Sequence, residues 1–61
     1  MNYGIYYEEM INLEGLDRQL QSDIQRLAKV SDKDGVELAQ LARREVQNRM
    51  LEITFIQEAR Q

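Results

Sequence analysis

The residues able to do chemistry here are carboxylates, guanidinium groups and tyrosines. Glu8 with Glu9, and Glu52 with Glu58, are the carboxylates near enough in sequence to be considered as pairs. General acid–base work near neutrality uses His or a carboxylate whose pKa is displaced in a pocket. The chain has no His, and neither pair is accompanied by the apolar pattern of a cavity. On a helix, Glu8 and Glu9 point in directions about 100° apart. Both pairs therefore read as solvated surface, and no enzymatic activity is expected. Asp32 and Asp34 resemble the first ligands of a calcium loop, but the next alternating positions are the apolar Val36 and Leu38, which supply no side-chain oxygen. Without His or Cys the usual zinc ligands are missing too. No metal, cofactor or small-molecule substrate is expected.

The basic residues are densest at Arg43, Arg44 and Arg49. Guanidinium groups recognise phosphate or carboxylate, but the surroundings argue against nucleic acid. Glu45 and Glu52 interrupt the cluster, the formal net charge is -3 at pH 7, and a helix-turn-helix reader needs a third helix. Glu45 and Arg49 have i,i+4 spacing, which offers an intrahelical ion pair. The cluster reads as a solvated face, with Arg43 and Arg44 as specificity residues toward an acidic protein surface. Tyr3, Tyr6 and Tyr7 crowd one short segment beside Ile5. Tyrosine offers large buried area with a hydrogen-bonding tip, so the segment suits either an interface or an aromatic plug against Phe55 and Ile56.

Two helical periods must position these groups. Tyr6, Met10, Leu13, Leu20, Ile24 and Leu27 recur in steps of three, four or seven. Asp17 falls where that stripe expects an apolar side chain. A carboxylate there is costly unless paired or wet, which makes Asp17 a candidate for setting register or partner choice. Asn12 offers one helix start and Ile5 another; the continuing stripe through Tyr6 favours the longer helix. Ser31-Asp32-Lys33-Asp34-Gly35 then breaks the apolar pattern. Ser31 with Asp34, and Asp34 with Glu37, both have capping-box spacing. The spacing predicts helices over about residues 5–30 and 35–59 around a turn at 31–34.

In the second helix Ala39, Ala42, Val46, Met50 and Ile53 share one side. The expected hairpin core is therefore Leu13, Leu20, Ile24, Leu27, Ala42, Val46, Met50 and Ile53, with the small alanines allowing close approach near the turn. Leu41, Leu51 and Phe55 fall outside it; Leu51 and Phe55 lie roughly 140–180° from Val46 and Ile53 at the helical angle per residue. One partner helix does not cover both faces. Leu41, Leu51, Phe55 and the three tyrosines are the candidate interface, either with a second chain or within one hairpin.

Size supports the first choice. A single domain of 61 residues buries only about 60% of the surface its unfolded chain exposes. With no Cys for a disulfide and no zinc ligands, association is the remaining means of stabilisation. The fold class expected is all-α, an antiparallel two-helix hairpin completed into a four-helix bundle or other helical assembly by a partner chain, either itself as a dimer or another helical protein. The opening residues lack the basic start and apolar core of a signal peptide, and no apolar run approaches the ~18 residues of a membrane span. Cytoplasmic residence is expected, although export independent of a signal peptide would leave the same sequence.

Gly35-Val36-Glu37-Leu38-Ala39-Gln40-Leu41 resembles the start of the second helix in the needle and inner-rod subunits of type III secretion systems. The resemblance reaches at most from Leu20 to the C-terminus. The Pro usual in that family's turn is missing here, and the aromatic N-terminal segment departs from the family pattern. The resemblance implies a secretion or filament subunit. The residues themselves favour a non-enzymatic interaction module of adaptor, chaperone-like or regulatory kind. An acidic inhibitor of a nucleic-acid-binding protein is a further reading, since residues 1–17 hold Glu8, Glu9, Glu14 and Asp17 and no base.

Overall fold

The computed structural model describes residues 4–59. They form two helices, α1 (Gly4–Lys29) and α2 (Lys33–Ala59), packed as an antiparallel hairpin. Helix α1 runs unbroken through Asn12 and Gly15, so Asn12 is an interior residue and not a cap. The molecule is a rod of 46 × 15 × 10 Å with a radius of gyration of 14.3 Å. A globular chain of this length would have a radius near ~10.5 Å.

The turn is shorter than the polar run that announces it. Ser31 N–H donates to the Ala28 carbonyl at 3.1 Å and Asp32 N–H to the Leu27 carbonyl at 3.0 Å. These two bonds are a Schellman closure of α1, with Ser31 in the left-handed region at φ 58°. Arg26 and Lys29 in the last turn complement its carbonyl end. Asp32 then serves α2 as N-cap. Its carbonyl accepts from Val36 N–H at 3.0 Å, and its Oδ1 accepts from Gly35 N–H at 2.9 Å. Neither Ser31 nor Asp34 caps α2. One residue thus finishes one helix and opens the next, which is why α2 begins at Lys33 instead of about residue 35.

Both helices present a heptad seam. On α1 it comprises Tyr6, Met10, Leu13, Asp17, Leu20, Ile24 and Leu27, all half-buried. On α2 it comprises Val36, Ala39, Arg43, Val46, Met50, Ile53 and Gln57. Among the described residues only Val46 and Ile53 are buried, at 8% and 0% exposure. Ala42, expected in the core, is exposed. The alternating three- and four-residue steps of the α2 seam pass through Arg43 instead. Helical geometry puts Arg43 about 30° from the seam's mean direction and Ala42 about 70° from it.

The caps yield a test on the two helical glycines. A methyl group at Gly15 would meet nothing within 4 Å, whereas at Gly35 it would meet Asp32 Oδ2 at 2.6 Å. Gly15→Ala is expected to stabilise the fold by about 1 kcal/mol in urea denaturation, the usual helix-interior gain. Gly35→Ala is expected to give none of that gain, and to recover part of it once Asp32→Ala has removed the cap. Equal stabilisation by both single substitutions would contradict the capping role of Asp32.

Candidate functional site

Charged side chains at three levels of the rod bear on what the hairpin can recognise. At mid-length the two polar seam positions meet: Arg43 Nε donates to Asp17 Oδ1 at 2.9 Å, and Gln47 Nε2 donates to the same oxygen at 3.3 Å. The side chains of Arg43 and Asp17 retain 31% and 19% of their exposure. The pair is therefore partly desolvated, yet its edge stays wet. This removes the cost of a lone carboxylate in the seam, and it shifts Arg43 from a surface cation to a member of the hairpin interface. Arg44, its neighbour, faces solvent.

Toward the open end, Arg49 grips Glu9 through two bonds, Nε to Oε2 at 2.7 Å and Nη2 to Oε1 at 3.2 Å. Its remaining Nη1 donates to Glu52 Oε1 at 2.7 Å, and its Cζ lies 6.0 Å from the Tyr6 ring centroid. Arg49 thus pairs across the hairpin and one turn along its own helix, and not with Glu45. The hydrogen bonds from Arg49 hold the Glu9 carboxyl below its ordinary value of 4.5, against a smaller opposing effect of lost hydration and with further help from the guanidinium charge. Hydrogen bonds to Glu9 and then Glu52 push the Arg49 pKa up, so it stays charged throughout. Near the turn, Asp23 accepts from Gln19 at 3.1 Å and from Arg26 at 2.8 Å within α1.

These contacts redistribute the candidate interface. Tyr6 is half-buried beside Arg49 and belongs to the hairpin seam. Tyr7 is 55% exposed, and Tyr3 lies outside the described residues. Leu41, Leu51 and Phe55 stand apart from all of this on the outer face of α2, with exposures of 54%, 56% and 65%. Phe55 is not enclosed by the described part of the tyrosine segment, Tyr6 and Tyr7. The outer stripe runs Leu41, Arg44, Asn48, Leu51, Phe55, again in steps of three and four. At its turn-proximal end an open groove is lined by Asp34, Glu37, Leu38, Gln40, Leu41 and Arg44.

Asn48 and the Glu9–Arg49 pair were missed by the reading from sequence. Asn48 was detectable because it sits midway between Leu41 and Phe55, seven residues from each. The Glu9–Arg49 pair had no local signal, since only the antiparallel register joins positions forty apart. Among the described residues no group of three or more His, Cys, Asp or Glu is placed to hold a metal ion, and no helix is long and apolar enough to cross a membrane. No family model, curated protein or solved structure matches the chain.

Two measurements probe the charge pairs. In a double-mutant cycle with Asp17→Ala and Arg43→Ala, the coupling is expected to be about 1–2 kcal/mol, between a surface ion pair and a buried charged hydrogen bond. A coupling near zero would mean that the pair contributes nothing to hairpin stability. The second concerns acid. Because the folded pKa of Glu9 is depressed, the pair stabilises the hairpin above the unfolded value, near 4.5, and that contribution is lost as pH falls through the lower folded value. An NMR titration of Glu9 should show a midpoint below 4.5 in the parent, moving up toward that ordinary value in Arg49→Gln. An unmoved midpoint would show that Arg49 is not the cause.

Proposed function

We propose that this chain is a small non-enzymatic interaction module whose working unit is a pair of hairpins joined through the outer face of α2. The observation that carries the reading is the stripe of Leu41, Leu51 and Phe55, left more than half exposed on the side of α2 that α1 does not cover. Isolated exposed apolar residues are ordinary on any protein; a row at helical spacing on one face suggests an interface.

Surface area supports a second copy as the occupant. The hairpin exposes 5066 Å², while a compact monomer of its 7.2 kDa mass would expose about 4,100 Å². The excess, roughly 900 Å², is comparable to the ~800 Å² each partner loses in a standard-size interface. An adaptor, chaperone-like or regulatory hairpin could then present its remaining surface to a client. The reading as an acidic inhibitor has less support than the interaction module. Of the acids in residues 1–17, Glu9 and Asp17 are engaged by Arg49 and Arg43, leaving only Glu8 and Glu14 exposed without a cross-hairpin partner.

The double substitution Leu51→Ser with Phe55→Ser tests the proposal. Burying each side chain is worth about 1.5–3 kcal/mol before the cost of association is subtracted. Sedimentation equilibrium should therefore show a parent dimer and a double mutant weakened by roughly a hundredfold or more, with helicity by circular dichroism retained at high concentration. A parent that stays monomeric at high concentration would reject self-pairing.

A further inference from the structure

Resting on that pairing, we infer its geometry: α2 meets α2 of the second copy antiparallel, about a twofold axis at Asn48, giving a flat layer of four helices ordered α1–α2–α2–α1. The layer follows from direction. The outer stripe points about 150° away from the seam that holds α1. A square four-helix bundle needs each helix to contact neighbours on faces nearer a right angle. With the two contact faces almost opposite, the second copy extends the layer sideways.

The register follows from the spacing within the stripe. Leu41 and Phe55 are equidistant from Asn48, so a twofold axis there places Leu41 of each copy against Phe55 of the other. Arg44 then stands level with Glu52 of the second copy, with its Leu51 one residue away. The aliphatic stem of Arg44 can cover the leucine while its guanidinium reaches the carboxylate. Among the described residues Arg44 has no hydrogen bond or ion pair of its own. The two Asn48 amides meet on the axis, where each can donate to and accept from the other. Phe55 of the second copy arrives over the groove lined in part by Leu38, Leu41 and Arg44, where the guanidinium can flank its ring. Glu45 and Glu52 of the other copy share one rim, with Arg44 as the countercharge. Glu58 of the second copy comes near Glu37 at the solvent-exposed end, where salt screens the repulsion. Sliding by one turn loses the Leu41–Phe55 contact: one slip sets Phe55 against Glu37 while bringing Leu41 to Leu51, and the other sets Leu41 against Glu58.

The absence of cysteine makes the geometry directly readable by disulfide trapping. Asn48→Cys should cross-link under mild oxidation roughly tenfold or more faster than Ser22→Cys, an exposed position on α1 that reports random collision. A mixture of Leu41→Cys and Phe55→Cys chains should yield the mixed 41–55 dimer. Leu41→Cys alone should stay at the collisional rate, since its two thiols would lie about 21 Å apart along the axis. Efficient 41–41 and 55–55 cross-links in a chain that still sediments as a dimer would overturn the antiparallel register while leaving the pairing intact. Every position at the collisional rate in a dimeric parent would place the contact elsewhere on the hairpin and overturn the inference. The same result in a monomeric parent would overturn the pairing as well. Species larger than a dimer, with 48–48 cross-links in each, would overturn the closed four-helix layer in favour of open-ended growth.

Discussion

Two helices touch along a single line, and that constraint shapes everything else in this molecule. A residue is enclosed only where side chains from the partner helix and from its own neighbouring turns close over it. A hairpin offers few such places, and among the described residues only Val46 and Ile53 reach burial. The rest of the seam is half-covered, including Leu13, Leu20, Ile24 and Leu27. Half-cover lowers the hydrophobic gain per side chain, because burial energy follows the area removed from water. It also lowers the cost of a charge. Asp17 and Arg43 occupy seam positions that would be prohibitive in a sealed core, yet here each keeps contact with water while bonding to the other.

Register in such a hairpin cannot come from hydrophobic contact alone, since leucine and isoleucine seams slide by a heptad with little change in chemistry. The cross-helix polar contacts remove that freedom. Asp17 with Arg43, and Glu9 with Arg49, are set at two levels of the rod. A slip of one heptad would place each charge against an apolar seam or open water. The turn enforces the same register from the other end. Asp32 closes α1 and caps α2 with backbone and side chain at once, so any extra loop residue would break one of the two functions. Gly35 fits the same logic: the carboxylate lies where a β-carbon would be. A glycine early in α2 is weak in helix propensity, but it leaves room for the cap.

The fold was legible in the sequence because hydrophobic period and turn composition are local signals. The two helices and the polar break between them follow from residues a few positions apart. The cap was less legible, since Ser31, Asp32 and Asp34 are all competent and only the left-handed conformation of Ser31 selects among them. Ala42 was misplaced for a related reason. Apolar character pointed to alanine, whereas the seam's regular spacing pointed to Arg43, and an arginine is acceptable there only because Asp17 lies opposite. That compensation is non-local: Asp17 was visible as an anomaly, but its partner was not. Tyr6 carries two readings in the sequence, as the start of the α1 stripe and as interface material with Tyr3 and Tyr7, and its half-buried place beside Arg49 agrees with the stripe.

The outer stripe of α2 repeats the design of the seam on the opposite face. Each is a three–four repeat of apolar residues interrupted near mid-length by polar groups, Arg43 inside and Arg44 with Asn48 outside. Inside, the interruption is answered by Asp17 of the same chain. Outside, the described residues give Arg44 no answering group, so a complementary surface must come from elsewhere if the face is to be buried without cost. A uniformly apolar outer stripe would adhere to many surfaces and at many registers. Polar groups at its centre make most of those alternatives costly, because each would strand a guanidinium or an amide against hydrocarbon. They weaken association in exchange for selectivity, as a single buried amide does in a coiled coil. An exposed face built this way is suited to one partner in one alignment; in the proposed pairing with its own copy, Leu41 meets Phe55 and Arg44 meets Glu52 on either side of Asn48.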